Sequence, residues 1–460
     1  MSALCFEDVV VATGARLLRG DPGRRVCGVS TDTRSIKRDQ IFFALAGPNH
    51  DGNRYAEAAV ACGAAGLLLR EDASAPEGDV AVALVPDPRR ALADLARWYR
   101  GRLHAEVIGI TGSCGKTTTK DMLAELLRGH RRTVASPASF NNDIGVPHSL
   151  LLASDDTEAL VLEIGTNAPG EIASLCAIAR PTAGVLTGIG ASHLAGLGSI
   201  EGVAEEKAAL IDAVPADGFV VLNAGCRFTP RIAERASARV ITFGLDGAGD
   251  LTATDLSFHP WGTAFLLNGR TEVRLPLLGQ HMVQNLLAAL AACQGHGLAL
   301  EDVLPAVPRL VDGAGRLQRR EVGGLLVLDD TYNANPESVR ASVRVLAALR
   351  GHAQRVFVLG DMQELGERSA ELHTAVGEDV AAAGIDRLVT VGPCARAAAE
   401  GALARGMDAA RVHAAPDVDA AQQALSGNLS DGDVLLIKGS RAAGLEVLVD
   451  RLEEERQPTG

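Results

Sequence analysis

Val107-Ile108-Gly109-Ile110-Thr111-Gly112-Ser113-Cys114-Gly115-Lys116-Thr117-Thr118 decides the fold. The first four residues read as a buried strand, and the glycine-punctuated loop then opens a helix over residues 116–128. Glycines let backbone N–H groups approach phosphate oxygens, and a helix N-terminus adds positive potential. Lys116 can reach the β- and γ-phosphates of a nucleotide, and the Thr117 hydroxyl can ligate Mg²⁺. The strict G-x-x-x-x-G-K-[ST] pattern fails, because its first glycine would fall at Ile110. The loop is the shorter form T-G-x-x-G-K-T, with Gly112, Ser113, Cys114, Gly115, Lys116, Thr117 and Thr118 as candidate nucleotide-binding residues. A glycine turn with a surface lysine is the plain alternative. The coincidence of strand, glycine, Lys-Thr and helix weighs against it.

The same rhythm extends on both sides. Strand patterns over 159–164, 183–187 and 219–222 alternate with helical patterns, which implies βαβ units and a mainly parallel sheet. Strand signals crowd between 238 and 278 around the turn Asn268-Gly269, predicting an antiparallel edge, and a helix over 281–293 closes the unit. The last third repeats the pattern. Its strands are at 325–328, 356–359, 388–391 and 434–437, with helices at 336–349, 369–383, 417–425 and 442–452, a second doubly wound sheet. The first hundred residues give a strand at 40–45 and helices at 56–62 and 91–100. The expected architecture is therefore α/β in three domains. These are a small α/β unit (1–102), a central phosphate-loop domain (103–312) and a Rossmann-like domain (313–460), joined near Asp312-Gly313-Ala314-Gly315.

Composition narrows the function. The chain has 460 residues, 47% hydrophobic and 22% charged, which suits globular domains. Net charge is −13 and aromatics are 3%, so a nucleic-acid surface is not expected. No stretch is apolar enough to span a membrane. The start of the chain carries Glu7 and Asp8 without a basic region, unlike a signal peptide. Eight scattered cysteines contain no C-x-x-C, as expected of free thiols in a reducing cytoplasm.

A phosphate loop names a ligand class, not a reaction. The N-K-x-D string of regulatory GTPases is absent. The strand over 159–164 carries one acid, Glu163. A carboxylate among five apolar neighbours is costly to bury without a partner. Mg²⁺ is one candidate partner; an arginine or backbone N–H groups are the other.

Further strings widen the pattern. They are Asp32-Thr33-Arg34, Phe42-Phe43-Ala44-Leu45, Asp51-Gly52, Ser139-Phe140-Asn141-Asn142-Asp143-Ile144-Gly145-Val146-Pro147, Glu163-Ile164-Gly165, Ser192-His193-Leu194 with Lys207, Gly279-Gln280-His281 with Asn285, Gly315-Arg316-Leu317, Asp329-Asp330-Thr331-Tyr332-Asn333-Ala334-Asn335-Pro336, Leu359-Gly360-Asp361-Met362-Gln363-Glu364-Leu365-Gly366, and Lys438-Gly439-Ser440-Arg441. Nearly end to end, the chain resembles the Mur ligases, ATP-dependent enzymes that extend the peptide of the peptidoglycan precursor. The phosphate loop is common to that superfamily. The strings at 329–336 and 359–366 are more specific, and resemble the branch that adds a dipeptide. The D-N-P-R string of the branch adding a diamino acid is absent. Small departures are Ser192 where relatives often carry Asn, Ala208-Ala209 where Gly-Glu often follows the lysine, and Cys114 where Ser is common.

The resemblance implies a reaction. ATP would phosphorylate the terminal carboxylate of a UDP-N-acetylmuramoyl tripeptide, and the amine of D-alanyl-D-alanine would displace the phosphate. Lys116, Glu163, His193 and Lys207 would be catalytic, with Thr117, Glu163 and His193 holding Mg²⁺ and Lys207 carbamylated to support a second ion. A solvent-facing lysine stands equally open for Lys207. Asn285, Arg316, Asp330, Tyr332 and Asn333 would complete the nucleotide site. Thr33 and Arg34 would bind the UDP-sugar, and Asn141, Asn142 and Thr166 the peptide. Lys438, Ser440 and Arg441 would bind the dipeptide carboxylate at a helix N-terminus, although ordinary capping explains Ser440 and Arg441 as well. Cys114 is expected to be a favoured thiolate beside Lys116, so that its alkylation blocks nucleotide binding. A cytoplasmic monomer is expected. A sister amide ligase, including a folylpolyglutamate synthase, and a nucleotide-operated switch module remain the competing readings.

Overall fold

The computed structural model describes residues 4–47, 50–259 and 261–456; the ends of the expected first and last domains, 1–3 and 457–460, lie outside it. Strands β1 (Arg16–Arg19), β2 (Val29–Ser30), β3 (Ile41–Phe43), β4 (Gly66–Arg70) and β5 (Ala81–Val85) form a sheet ordered β1-β5-β4-β3-β2. Its apolar face continues into the next unit through the helix Pro88–Arg100. There Tyr99 donates its hydroxyl to Ala153 O at 2.8 Å, and Arg100 Nε donates to Ala179 O at 2.9 Å.

The central sheet has nine strands: β6 (Glu106–Thr111), β7 (Thr133–Ala135), β8 (Ala159–Glu163), β9 (Ala183–Leu186), β10 (Phe219–Asn223), β11 (Arg239–Leu245), β12 (Leu251–His259), β13 (Gly262–Leu267) and β14 (Thr271–Leu275). Their order is β14-β13-β12-β11-β10-β9-β6-β8-β7. Pairing is parallel from β7 to β12 and antiparallel from β12 to β14. The antiparallel edge is thus narrower than the sequence suggests. β11 and β12 run parallel, joined by a link in which Asp246, Gly247 and Gly249 all take positive φ. Asn268 (φ 51°) and Gly269 (φ 65°) both sit in the left-handed region that a tight two-residue hairpin needs. β6 lies between β8 and β9, so the segments leaving all three meet at one carboxyl edge, where open α/β sheets bind ligands.

The last sheet contains β15 (Gln318–Val322), β16 (Leu325–Asp330), β17 (Arg355–Gly360), β18 (Arg387–Val391), β19 (Val412–Ala415) and β20 (Val434–Lys438), ordered β15-β16-β20-β17-β18-β19. Only β15 is antiparallel to its neighbour. One apolar cluster runs from Ile108 and Leu286 to Leu328 and Phe357, tying this unit to the central one.

Two elements depart from expectation. The helix Arg396–Ala404 was not expected, because its buried face is only alanine and glycine and gives a weak apolar signal. It packs so closely on Ser369–Ala382 that a Cβ on Gly401 would fall 2.2 Å from Thr374 O. The terminal helix spans Glu446–Arg456, not 442–452. Arg441–Ala443 is a single 3-10 turn, and Gly444 at φ 62° separates it from the helix.

Candidate active site

A cleft of about 1770 Å³ lies between the central and last units and is fringed by Arg89 of the first. Its floor is the phosphate loop, followed by helix α1 (Lys116–Arg128). Gly112 (φ 152°) and Gly115 (φ 82°) hold backbones that L side chains avoid, and their surroundings leave no space. A Cβ on Gly112 would lie 1.9 Å from Thr187 Oγ1, and one on Gly115 2.2 Å from Asn285 Oδ1. Asn285, buried on helix α4 of the central unit — Gln280–Gly295, following α2 (Glu171–Ala179) and α3 (Ile200–Asp212) — thus sits directly under the loop.

The loop is stitched to the segment after β9. Thr187 donates to Cys114 O at 2.5 Å and Ser113 N to Gly188 O at 2.9 Å. Ser113 Oγ donates to Gly190 O at 3.0 Å, and accepts from Gly190 N and Ser192 Oγ, each at 2.9 Å. Among the described residues, Lys116 Nζ donates only to Gly112 O, at 2.8 Å. Thr118 also lines the cleft.

Glu163 is 1% exposed and ends β8. It accepts Thr117 Oγ1 at 2.6 Å and Asn141 Nδ2 at 2.8 Å. Thr117 in turn accepts Arg316 Nη2 at 2.8 Å, and Arg316 lies 4.1 Å over the Tyr332 ring. A residue of the connector to the last unit therefore touches the phosphate loop directly. His193 (φ 53°) places Nδ1 2.5 Å from Glu364 Oε2 of the last unit, and this contact holds the Glu364 carboxyl below the usual range. Among the described residues no three His, Cys, Asp or Glu side chains converge as a ready-made metal cage. Mg²⁺ needs none, since it keeps waters and binds through one or two carboxylates plus substrate phosphates. The Thr117–Glu163 pair at the cleft floor has that donor chemistry.

Lys207, on α3, is fully buried, and its Nζ has no hydrogen-bond partner among the described residues. Burial, reinforced by the Lys116 charge, drives its amine well below the ordinary lysine value. The solvent-facing alternative is excluded. The neighbouring acids differ in role. Glu205 pairs with Arg235 at 2.7 Å outside, while Glu206 turns inward to accept Gly170 N at 2.6 Å and Ile172 N at 2.8 Å at the start of α2.

Other expected residues are placed differently. Lys438 is 2% exposed and donates to Asp330 Oδ2 at 2.7 Å and Asn333 O at 3.0 Å. Asp330 also accepts Ser342 Oγ at 2.6 Å. The Lys438 charge is thus already neutralised, and only a 3-10 turn begins behind Ser440, whose buried Oγ has no partner among the described residues. Arg441 is exposed, 3.7 Å from Glu446, and like Lys438 it lines the cleft. Asn333 Oδ1 accepts Ala334 N. Asn142 Oδ1 caps Gly145 N at 2.9 Å, and Thr166 donates to Ala168 O at 2.9 Å, so both serve local turns while lining the cleft. Thr33 and Arg34 do not line the cleft; Arg34 pairs with Asp32 at 2.6 Å. The expected Cys114 thiolate is also corrected. Burial pushes this thiol up, outweighing Lys116, and its Sγ donates to Asn335 Oδ1 at 3.2 Å.

Lys120 stands in none of the strings above, and His281, within Gly279-Gln280-His281, carries no expected role there. Lys120, 1% exposed, donates to Ser136 O and Ala138 O at 2.7 Å each and holds the turn that presents Ser139 to Thr117. Its only sequence signal is its place one helical turn after Lys116. His281 lines the cleft. Burial, then Lys438 and Arg344, push its imidazole down to about 3.

A phosphate-loop sheet and a Rossmann-like sheet face each other across one cleft, the layout of a nucleotide-dependent enzyme. Residues 110–293 match the Mur ligase middle domain, and residues 315–441 match the Mur ligase glutamate ligase domain. A Bacillus subtilis UDP-N-acetylmuramoyl-tripeptide–D-alanyl-D-alanine ligase is 37% identical over 93% of each chain. The crystal structure of MurF from Acinetobacter baumannii superposes with a TM-score of 0.89 at 32% identity, covering 99% of both chains. MurF ligase from Thermotoga maritima, in complex with ADP, gives 0.81 at 28% identity over 93% of this chain and 97% of that one. The chain belongs to the Mur ligase family.

Proposed function

We infer that this protein is the ATP-dependent ligase that joins D-alanyl-D-alanine to UDP-N-acetylmuramoyl tripeptide, giving the pentapeptide precursor of peptidoglycan, ADP and phosphate. The observation that carries this reading is the chain of contacts Arg316–Thr117–Glu163, which joins the acceptor-side unit to the phosphate loop across one cleft. The relatives' names supply the substrates. In this reading residues 1–102 receive the UDP-sugar, 103–312 the nucleotide and 313–460 the dipeptide, in a cytoplasmic monomer.

The chemistry follows from charge. A tripeptide carboxylate oxygen attacks the γ-phosphorus and ADP leaves. The dipeptide amine then attacks the acyl carbon, loses a proton, and the intermediate expels phosphate. Two anions must meet, so positioning and charge neutralisation dominate. Lys116 and Arg316 face the phosphates, the loop N–H groups cradle them, and Asp330 and Asn285 hold the nucleoside end. Mg²⁺, held by Thr117, Glu163 and His193, would neutralise charge between phosphate and carboxylate.

We further propose that Lys207 is carbamylated. Burial favours the neutral form of its amine, the form that adds carbon dioxide to give a carbamate and release a proton. Native mass spectrometry should show the added mass, and bicarbonate should restore a weakly active preparation. Full activity in Lys207→Ala would contradict this.

Phosphate release with MgATP and matched UDP-muramoyl peptides and amines tests the function. Release with tripeptide plus D-alanyl-D-alanine, and pentapeptide by mass, is expected. Release with dipeptide substrate and a diamino acid would assign the sister reaction, and release without any acceptor would overturn the reading.

A further inference from the structure

The segment 188–193, which carries His193, is held from both sides. On one side Ser113 bonds both polar backbone atoms of Gly190. On the other stands helix α5 (Pro336–Ala348) of the last unit. Its N-cap, Asn335, meets the Cys114 thiol at 3.2 Å. Two residues on, Glu337 Oε1 accepts the Ala191 N–H at 2.8 Å. Its other oxygen, Oε2, is buried without a partner among the described residues, an arrangement that costs stability and that a smaller residue would avoid.

Gly190 is the complement of this carboxylate. Its φ lies outside the region that demands glycine, so its backbone gives no reason for the residue. Space does. A Cβ there would fall 2.7 Å from Glu337 Cδ and 3.0 Å from Oε1. A methyl group on residue 190 and a docked Glu337 are mutually exclusive without a shift.

We propose that Glu337 is a positioning residue for the ligase reaction: when the last unit docks, its carboxylate seats in the notch left by Gly190 and fixes the His193-bearing segment against the phosphate loop. This rests on the ligase reading. The side chain acts only in the docked arrangement. It therefore supports turnover and leaves binding of the UDP-peptide to the first unit untouched.

A double-mutant cycle tests it with full-length Gly190→Ala, Glu337→Ala and the double variant, measuring kcat, KM for the UDP-tripeptide and the thermal midpoint. Gly190→Ala should lower kcat about tenfold or more. The same change made in Glu337→Ala should cost at least about fivefold less, because the methyl then has room. Glu337→Gln, which keeps an acceptor for Ala191, should retain more turnover than Glu337→Ala at equal KM. Equal costs of Gly190→Ala with and without Glu337, or an unchanged kcat in Glu337→Ala, would overturn the proposal. Variants that differ only in thermal midpoint would overturn it too, by reducing the contact to a structural one. Wild-type turnover is the separate control: its failure would count against the ligase reading instead.

Discussion

The phosphate loop and the turn at 438–441 are built alike, each a buried parallel strand ending in a glycine-bearing turn, yet they use their lysines oppositely. Lys116 touches one carbonyl of its own loop and keeps its charge for a ligand. Lys438 is buried in an ion pair with Asp330 and a bond to Asn333 O. The same residue type at the same kind of strand end is a ligand-facing cation in one domain and a structural strut in the other. What separates them is the partner across the sheet: β16 lies beside β20 and delivers Asp330 in register with Lys438, whereas among the described residues no acid bonds Lys116.

The comparison predicts opposite mutational signatures. Lys438→Met leaves Asp330 a buried, uncompensated charge and should destabilise the fold by about 3–5 kcal/mol, read as a lower urea midpoint. A midpoint unchanged from wild type would return Lys438 to the ligand-facing class. Lys116→Ala should leave the midpoint nearly unchanged and lower kcat by about 10²–10³, roughly 3–4 kcal/mol of transition-state stabilisation. Comparable kcat in wild type and variant would break the comparison from the other side.

His281 sharpens it. A folded-state value of about 3 against an ordinary 6.5 means the unfolded chain protonates first. This residue therefore adds stability above pH 6.5 that is lost as pH falls toward 3. His281→Asn should flatten the fall of the thermal midpoint between pH 7 and 5, and an unchanged slope would show that the imidazole is freely solvated. The smallest effect is at Cys114: with its thiol pushed up and half-buried, it should alkylate more slowly than the exposed Cys27 and Cys62. Faster labelling there would restore the thiolate.

These contrasts mark what sequence order carries. The phosphate loop was legible because every determinant is contiguous: an apolar strand, glycines at the two positive-φ positions, Lys-Thr, a helix. Glu163 was legible as an acid that a strand of apolar neighbours cannot bury alone. The ion pair of Lys438 and the missing helix N-terminus behind Ser440 were not legible, because they depend on Asp330, more than a hundred residues away, and on a left-handed Gly444 that postpones the helix. Cys114 was misjudged because desolvation by the facing domain has no signature in its own loop. Lys120 and Glu337 act through partners brought close only by docking. The alanine-rich helix at 396–404 escaped because the residues on its buried face are too small to give a strong apolar signal.

The central claim is that this cleft activates a carboxylate by phosphorylation before an amine displaces the phosphate. UDP-N-acetylmuramoyl tripeptide labelled with ¹⁸O in its terminal carboxylate, turned over with MgATP and D-alanyl-D-alanine, tests it most directly. The account predicts one ¹⁸O in each inorganic phosphate released, alongside pentapeptide. Pentapeptide with unlabelled phosphate would contradict it.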